Sequence, residues 1–195
     1  MKALLLALAL LHPVEQLDQE VARAVQEARR PAYEGVMRTA TAVGQPAVVA
    51  TGLLAVLVVD LAAGAGWTTV RLALVTILGT NLVVEALKRT VDRQRPDGEH
   101  EPANSSFPSS HAANAFALAW VLSARWRRAA PGFIALAAVV AFSRMYLNRH
   151  FLSDVLCGAV IGMMVAWAAF RSLPIRRPGP RGGRRGRAQP MGGHG

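Results

Sequence analysis

Long apolar segments separated by short polar ones occupy most of this chain, in the ranges 47–64, 68–87, 112–124, 131–146 and 155–170. A helix rises ~1.5 Å per residue, so about 20 apolar residues cross a bilayer. Segment 112–124 is shorter, and reaches an adequate length if residues 109–111 form its first turn. The pattern predicts an all-α, integral membrane helical bundle with about five to six transmembrane helices. A soluble protein of buried helices is disfavoured, because soluble helices seldom run apolar on every face.

The N-terminal region has a different pattern. Residues 3–11 are apolar like the core of a signal peptide, but no convincing small-residue cleavage site follows before Pro13. From Pro13 onward, apolar residues recur at helical spacing among charged ones, which predicts an amphipathic helix on the bilayer surface. The recurring positions are Val14, Leu17, Val21, Val25 and Ala28. We interpret residues 1–11 as a retained anchor feeding that helix, with a cleaved signal as the alternative.

These patterns divide the chain into three parts. Residues 1–45 carry the apolar anchor and the interfacial helices, and residues 46–172 form the transmembrane core. Residues 173–195 form a tail rich in Arg, Gly and Pro, a composition typical of disorder. No aromatic residue lies between the tail arginines to stack on bases, so membrane lipid, rather than nucleic acid, is the expected partner.

Charge distribution predicts the orientation. The chain is 52% hydrophobic with a formal charge of +10, and its only cysteine, Cys157, excludes an internal disulfide. If the spans alternate, the ends carrying Lys88, His111 and His150 emerge on one face, opposite the basic turn 125–128 and the tail. An excess of Lys and Arg marks the cytoplasmic side. Lys88, His111 and His150 are therefore expected to face outward.

Three cations lie at the ends of predicted spans, namely Lys88, Arg95 and Arg144. Guanidinium groups bind phosphate oxygens in a bidentate manner, and an ammonium acts as a point charge. Phosphoryl transfer depends mainly on positioning and charge stabilisation, so converging cations suit it. Taken alone, Lys88 and Arg95 would also fit an ordinary basic flank of a membrane span.

The segment Pro108-Ser109-Ser110-His111 opens another predicted helix. A helix N-terminus offers free N–H groups and a positive dipole end to an anion. A serine there caps the helix or binds a phosphate oxygen. Capping accounts for one serine and leaves His111 without a structural explanation.

His150 and Asp154 share a helix face at i and i+4. A carboxylate bonded to one ring nitrogen would fix the tautomer and leave the other nitrogen able to attack. The alternatives are a purely structural pair, or half of a metal site. A metal site needs three or more ligands, and only His111 is an obvious third.

Together the clusters read Lys88, six residues, Arg95-Pro96; then Pro108 to His111; then Ser143-Arg144, five residues, His150, three residues, Asp154. This order and spacing resemble the three-part signature of the type 2 phosphatidic acid phosphatase and vanadium haloperoxidase superfamily. One position departs from the signature, because Ser110 stands where the family has glycine. Serine keeps the backbone N–H that the glycine supplies to phosphate.

The resemblance implies a role for each residue. His150 would be the nucleophile that forms a phosphohistidine, oriented by Asp154, and His111 would protonate the leaving oxygen and then activate water. Lys88, Arg95, Ser109, Arg144 and the amide of Ser110 would hold the phosphate oxygens. Family hydrolysis needs neither a metal nor another cofactor.

The expected function is hydrolysis of a lipid phosphate or diphosphate by an integral membrane enzyme whose active site faces outward. Undecaprenyl diphosphate, phosphatidylglycerol phosphate, phosphatidic acid and lipid A all contain the group that these residues would bind. Two alternatives are a vanadate-dependent haloperoxidase and a non-catalytic phospholipid-binding membrane protein.

Overall fold

A computed structural model describes residues 2–99 and 105–173, with side chains from His12 onward. Residues 174–195 of the predicted tail and the side chains of the predicted anchor lie outside this description. Seven α-helices occupy the described ranges, and a 3-10 turn at Arg127–Ala129 separates the fifth from the sixth. They are α1 (Lys2–Glu27), α2 (Pro31–Ala42), α3 (Pro46–Ala62), α4 (Thr68–Thr90), α5 (Ser110–Arg125), α6 (Ala130–Tyr146) and α7 (Leu152–Ser172).

The described ranges contain three helical segments long and apolar enough to cross a membrane, and they are Thr68–Thr90, Arg127–Tyr146 and Leu152–Ser172. Helices α2 and α3 bend by 60° across their short break and give a fourth candidate if they act as one span. The all-helical membrane fold is confirmed. The predicted count of five to six spans is not, because α3 has 17 residues and α5 has 16.

Other helices surround the short helix α5. It packs against α4, α6 and α7, and its residues Ala112, Ala113, Ala117 and Val121 are completely buried. Small residues let neighbouring helices approach closely in a membrane protein. Hydropathy does not distinguish a helix enclosed by other helices from one facing lipid, so the prediction that α5 spans the membrane stays a prediction.

Two glycines bring α7 against α5. A Cβ atom on Gly162 would overlap the carbonyl oxygen of Ala113, and one on Gly158 would lie 2.5 Å from the carbonyl oxygen of Ser109. Only a residue without a side chain fits at either position. This contact fixes the amino end of α5 beside the amino end of α7.

The outer faces of α3, α4 and α7 carry large apolar side chains. Leu54, Leu78, Leu82 and Met164 are each more than 60% exposed, although the fold has a well-packed interior. In water such a surface would be unfavourable, whereas lipid tails solvate it. The exposed apolar surface therefore agrees with insertion in a bilayer.

The N-terminal helix passes through Pro13 without a break. Val14 and Leu17 on the predicted apolar face are exposed, whereas Asp18 is 1% exposed. Asp18 contacts the loop between α4 and α5 and the start of α7. Helix α1 is thus attached to the bundle through a charged residue. Its placement on the bilayer surface stays a prediction.

Candidate active site

The predicted site residues meet at one end of the bundle. Lys88 lies in the last turn of α4, Arg144 in the last turn of α6, and His111 in the first turn of α5, while His150 precedes α7. Burial, followed by the charges of Arg144, His150, Lys88 and Arg95, lowers the pKa of His111 to about 4, and an anion bound beside the ring would oppose this shift. The convergence that the sequence predicted is therefore present.

His150 is held by a backbone group. Its side chain is almost completely buried, and Nδ1 lies 2.8 Å from the carbonyl oxygen of Ser106. A carbonyl oxygen only accepts hydrogen bonds, so Nδ1 carries the proton and Nε2 is left with a lone pair. Burial lowers the pKa of His150 below its usual value, and the nearby Asp154 carboxylate opposes this shift. The ring is therefore poised as a neutral nucleophile or base.

Asp154 does not bond His150 directly, which differs from the sequence prediction. Its Oδ2 lies 3.8 Å from His150 Nδ1, beyond hydrogen-bond distance. The completely buried carboxylate instead accepts bonds from Ser106 Oγ at 2.6 Å and from the backbone N–H of Phe151 at 2.8 Å. The Ser106 carbonyl occupies the position on Nδ1 that was expected for Asp154. Asp154 thus acts on His150 by its charge and by holding Ser106.

Residues in the loop between α4 and α5 place Ser106. Ser106 N–H donates to the carbonyl of Arg93 at 2.8 Å, and Arg93 N–H donates to Ser105 Oγ at 3.1 Å. These bonds join the part of the loop that follows α4 to the part that leads into α5. The segment carrying Arg93 and Arg95 and the segment carrying Ser106 therefore form one unit beside His150.

The amino end of α5 offers donors to an anion. Ser109 is completely buried, and its Oγ accepts a long 3.5 Å bond from Ala112 N–H as the helix cap. Its own N–H donates to the Asp154 carbonyl oxygen at 3.1 Å. The hydroxyl proton of Ser109 and the N–H of Ser110 remain suited to bind a phosphate oxygen, as predicted.

Arg144 has one hydrogen-bonded donor and one buried donor that is unsatisfied among the described residues. Its Nη1 donates to Thr41 Oγ1 on α2 at 2.7 Å, whereas its buried Nε has no hydrogen-bond partner among the described residues. A buried guanidinium with an unmet donor is costly without a ligand. A phosphate oxygen would satisfy that donor.

Four contributors were missed by the sequence analysis, and they are Asp18, Thr41, Arg93 and Ser106. Thr41 and Asp18 lie in N-terminal helices far from the signature, and Ser106 acts through its backbone carbonyl, which residue identity does not reveal. Arg93 was not singled out among the basic residues that follow α4. The sequence signal available for Arg93 was its place two residues before Arg95, inside the first cluster.

The chain is similar in sequence to known proteins. The family model of the PAP2 superfamily matches residues 68–178. Phosphatidylglycerophosphatase B of Bacillus subtilis is 30% identical over 171 residues, which cover 78% of this chain and 81% of that protein. The lipid A 1-phosphatase of Porphyromonas gingivalis is 39% identical over 87 residues, which cover 43% of this chain but only 19% of the relative.

Two solved structures share the fold. The crystal structure of LpxE from Aquifex aeolicus has a TM-score of 0.70 at 24% identity and covers 80% of this chain and 95% of that one. The crystal structure of a transmembrane PAP2-type phosphatidylglycerolphosphate phosphatase from Bacillus subtilis has a TM-score of 0.69 at 25% identity, with coverages of 82% and 86%. The family match covers more than half of this chain, which therefore belongs to the PAP2 superfamily and is a membrane phosphatase of the hydrolase class.

Proposed function

We propose that this chain hydrolyses a phosphate monoester or diphosphate carried by a membrane lipid, through a phosphohistidine on His150 and without a metal ion. The observation that carries this proposal is the state of His150. Its Nδ1 proton is committed to the Ser106 carbonyl, so Nε2 is the nucleophilic atom among the assembled cations.

In the first step, Nε2 of His150 attacks phosphorus and the bond to the leaving oxygen breaks, while His111 donates a proton to that oxygen. In the second, His111 takes a proton from water as the water oxygen attacks the phosphohistidine, which releases inorganic phosphate and restores His150. Lys88, Arg95 and Arg144 stabilise the charge on the equatorial oxygens in both steps. Three protein cations supply the charge that a metal ion supplies in other phosphatases.

An apolar slot beside His111 supports a lipid substrate. The slot has a volume of about 250 Å³ and lies between the α2–α3 bend, α5 and α6. Gly44 lines the slot, and a Cβ atom on it would lie 2.7 Å from Cδ2 of His111, so only glycine leaves the ring its present position. Because His111 is the proposed donor to the leaving group, the leaving lipid would depart on this side. The slot would receive the part of its hydrocarbon chain nearest the head group.

The names of relatives support the head-group class. Besides phosphatidylglycerophosphatase B and the lipid A 1-phosphatase, the chain is 29% identical over 76 residues to undecaprenyl-diphosphatase BcrC of Bacillus subtilis, covering 39% of each chain. These names share a phosphate or diphosphate on a lipid. Phosphatidylglycerol phosphate is our first choice for testing, because that relative aligns over most of both chains.

The proposed site faces the outer leaflet. Arg125, Arg127 and Arg128 lie at the end of the bundle opposite His111 and His150. The positive-inside tendency puts that basic end in the cytoplasm. A cysteine-accessibility assay on intact cells, with Asp97→Cys at the site end and Arg128→Cys at the other, would report the orientation. Labelling of Arg128→Cys alone from outside would contradict it.

The function is tested with detergent-purified protein, EDTA and four lipids, namely phosphatidylglycerol phosphate, phosphatidic acid, undecaprenyl diphosphate and lipid A. We expect phosphate release from at least one lipid and inhibition by vanadate. His150→Ala and His111→Ala should each lose activity, His150→Ala by about 10⁴-fold or more. Wild-type protein quenched in alkali during turnover should carry labelled phosphate, and His150→Ala should carry none.

The matched control is His12→Ala, which removes an exposed histidine on α1 and should retain wild-type rates. Full activity in His150→Ala would rule out the phosphohistidine. Activity that EDTA abolishes and magnesium restores would rule out metal-independent hydrolysis.

A further inference from the structure

Asp18 binds the start of α7 across the whole fold. It lies on α1, 135 residues before Ser153, and is almost completely buried. Its Oδ1 accepts the backbone N–H of Ser153 at 2.8 Å, and its Oδ2 accepts the Ser153 hydroxyl. Ser153 directly precedes Asp154, so Asp18 fixes the first turn of α7 on which the site depends.

Arg93 joins Asp18 to Asp154. Its Nη2 donates to Asp18 Oδ2 at 2.7 Å, and its Nη1 donates to Asp154 Oδ1 at 2.6 Å. Its guanidinium also lies over the Phe151 ring, 4.4 Å from the centroid. Burial opposes the charge of Arg93, and the two carboxylates overcome this and raise the pKa of its guanidinium. One permanently charged group thus bridges two buried carboxylates.

The chain of bonds ends at the reactive ring. Asp154 accepts the hydroxyl of Ser106, and the carbonyl of the same Ser106 accepts Nδ1–H of His150. Each link from Asp18 to His150 is therefore a hydrogen bond of 2.6–2.8 Å. A displacement of Arg93 would move Asp154, then Ser106, and would turn the His150 ring that aims Nε2.

We infer that Asp18 and Arg93 are positioning residues of the active site, and that the N-terminal helix is a part of the catalytic machinery rather than only an attachment to the membrane. This inference rests on the proposed function in one respect, that His150 is the attacking residue. Neither residue contacts the phosphate in this role. They hold the orientation of the group that does.

A second buried pair in the same molecule provides a matched control. Asp60 on α3 is completely buried and accepts a bond from Arg125 at 2.9 Å, but its Oδ2 has no partner among the described residues. This pair lies at the far end of α5 from His111, and no bond in the described ranges leads from it to His150. Asp60→Asn therefore removes a buried carboxylate charge of similar environment and leaves the site intact.

The experiment compares Asp18→Asn, Arg93→Gln and Arg93→Lys with Asp60→Asn and wild type. We expect kcat to fall about 10-fold for Asp18→Asn and up to about 100-fold for Arg93→Gln, the range seen when supporting residues of a site are removed. KM should change less than about 3-fold, because the phosphate-binding groups are untouched. Arg93→Lys keeps the positive charge but not the two-pronged guanidinium, so its kcat should lie between those of wild type and Arg93→Gln.

Two inhibitors separate positioning from collapse of the pocket. Vanadate resembles the transition state and bonds to the attacking nitrogen, so its affinity should fall in step with kcat. Inorganic phosphate resembles the product, and its affinity should stay near the wild-type value. Asp60→Asn should lower the thermal midpoint without changing kcat or either affinity. The double variant Asp18→Asn, Arg93→Gln should be no slower than Arg93→Gln alone, because both act on one chain.

Wild-type kcat and vanadate affinity in Asp18→Asn would overturn the inference, and so would equal losses of vanadate and phosphate affinity, which indicate collapse. If Asp18→Asn does not fold, Arg93→Lys decides by the same criteria. A wild-type protein that turns over none of the four lipids would contradict the proposed function instead. The vanadate comparison between Asp18→Asn and Asp60→Asn would then still test the positioning.

Discussion

Both ends of the helical bundle carry basic residues, but the surroundings of those residues differ. At the end away from the site, Arg125 is neutralised by Asp60, and Arg127 and Arg128 are exposed. At the site end, the cations lie around His111, and Arg144 has a buried N–H without a partner among the described residues. A charge that is solvated or paired costs little, whereas a buried donor without a partner is unfavourable until an anion binds it. The comparison indicates that a position at a helix end does not by itself distinguish an arginine proposed to bind phosphate, and that an unmet buried donor does.

Among the changes that test this comparison, the largest effect should come from Arg144→Gln. Loss of one preorganised donor to transition-state charge lowers kcat/KM by about 10²–10³-fold. The matched control is Arg128→Gln, which removes an exposed arginine at the other end and should leave kcat/KM within about 2-fold. Steady-state phosphate release measures both. Equal rates for the two variants would remove the functional distinction between the two ends.

A smaller loss should follow when α5 and α7 are forced apart on the site side. In Gly162→Ala the new Cβ would overlap the Ala113 carbonyl, so the backbones must separate. We expect a loss of about 1–3 kcal/mol in the free energy of unfolding, as for other overpacked positions. A shift of the amino end of α5 relative to His150 should lower kcat by up to about 10²-fold.

Gly35→Ala is the matched control for that variant. Gly35 lies within α2, and a Cβ there would contact nothing within 4 Å. Alanine should raise stability slightly, because it restricts the unfolded chain more than glycine does. Thermal midpoints and rates for the two alanine variants should therefore move in opposite directions, and a stable, fully active Gly162→Ala would contradict the close contact.

The pH dependence should show that His150 differs from a histidine in water. Its pKa is lowered by burial, and the neutral ring is the reactive form, so the acid limb of kcat/KM shifts to lower pH. An ordinary histidine of pKa about 6.5 would lose roughly 10-fold in reactive fraction at pH 5.5, and we expect a smaller loss. Nitrogen-15 NMR titration of the empty protein, with His150→Gln for assignment, measures this group without the ionisation of substrate. A midpoint above 6.5 would contradict the direction.

The smallest effect is expected at the surface beside the site. Arg149 pairs with Asp97 at 2.9 Å and with Glu99 at 2.8 Å, and all three side chains are at least one-fifth exposed. Exposed pairs contribute about 0–1 kcal/mol. Arg149→Gln should therefore change stability by less than about 1 kcal/mol and kcat/KM by less than about 3-fold. A larger loss would show that the loop carrying Arg95 depends on these pairs.

The sequence was sufficient to predict the groups that meet at one end of the bundle. Lys88, His111, Arg144 and His150 lie at helix ends, and alternation of apolar segments brings those ends together without knowledge of packing. The count of spans stays a prediction. Helix α5 is enclosed by other helices, and hydropathy does not separate that environment from lipid.

The supporting residues could not be predicted from the sequence, for a different reason. The bond that fixes His150 comes from a backbone carbonyl, which any residue at position 106 would possess. The i, i+4 spacing suggested a direct bond from Asp154, but the loop carbonyl lies closer to the ring nitrogen. Asp18 is separated from Ser153 by 135 residues, and an acidic residue on an amphipathic helix is normally explained as facing water.

The bond between Asp18 and Ser153 also has a consequence for biosynthesis. Helix α1 is synthesised first. Ser153, the partner of its buried Asp18 carboxylate, is synthesised only when α7 begins. A chain that ends before α7 lacks the bond from Asp18 to Ser153, which we propose holds His150 in its orientation. Under the proposed function, the active site is therefore assembled only after synthesis of α7 has begun.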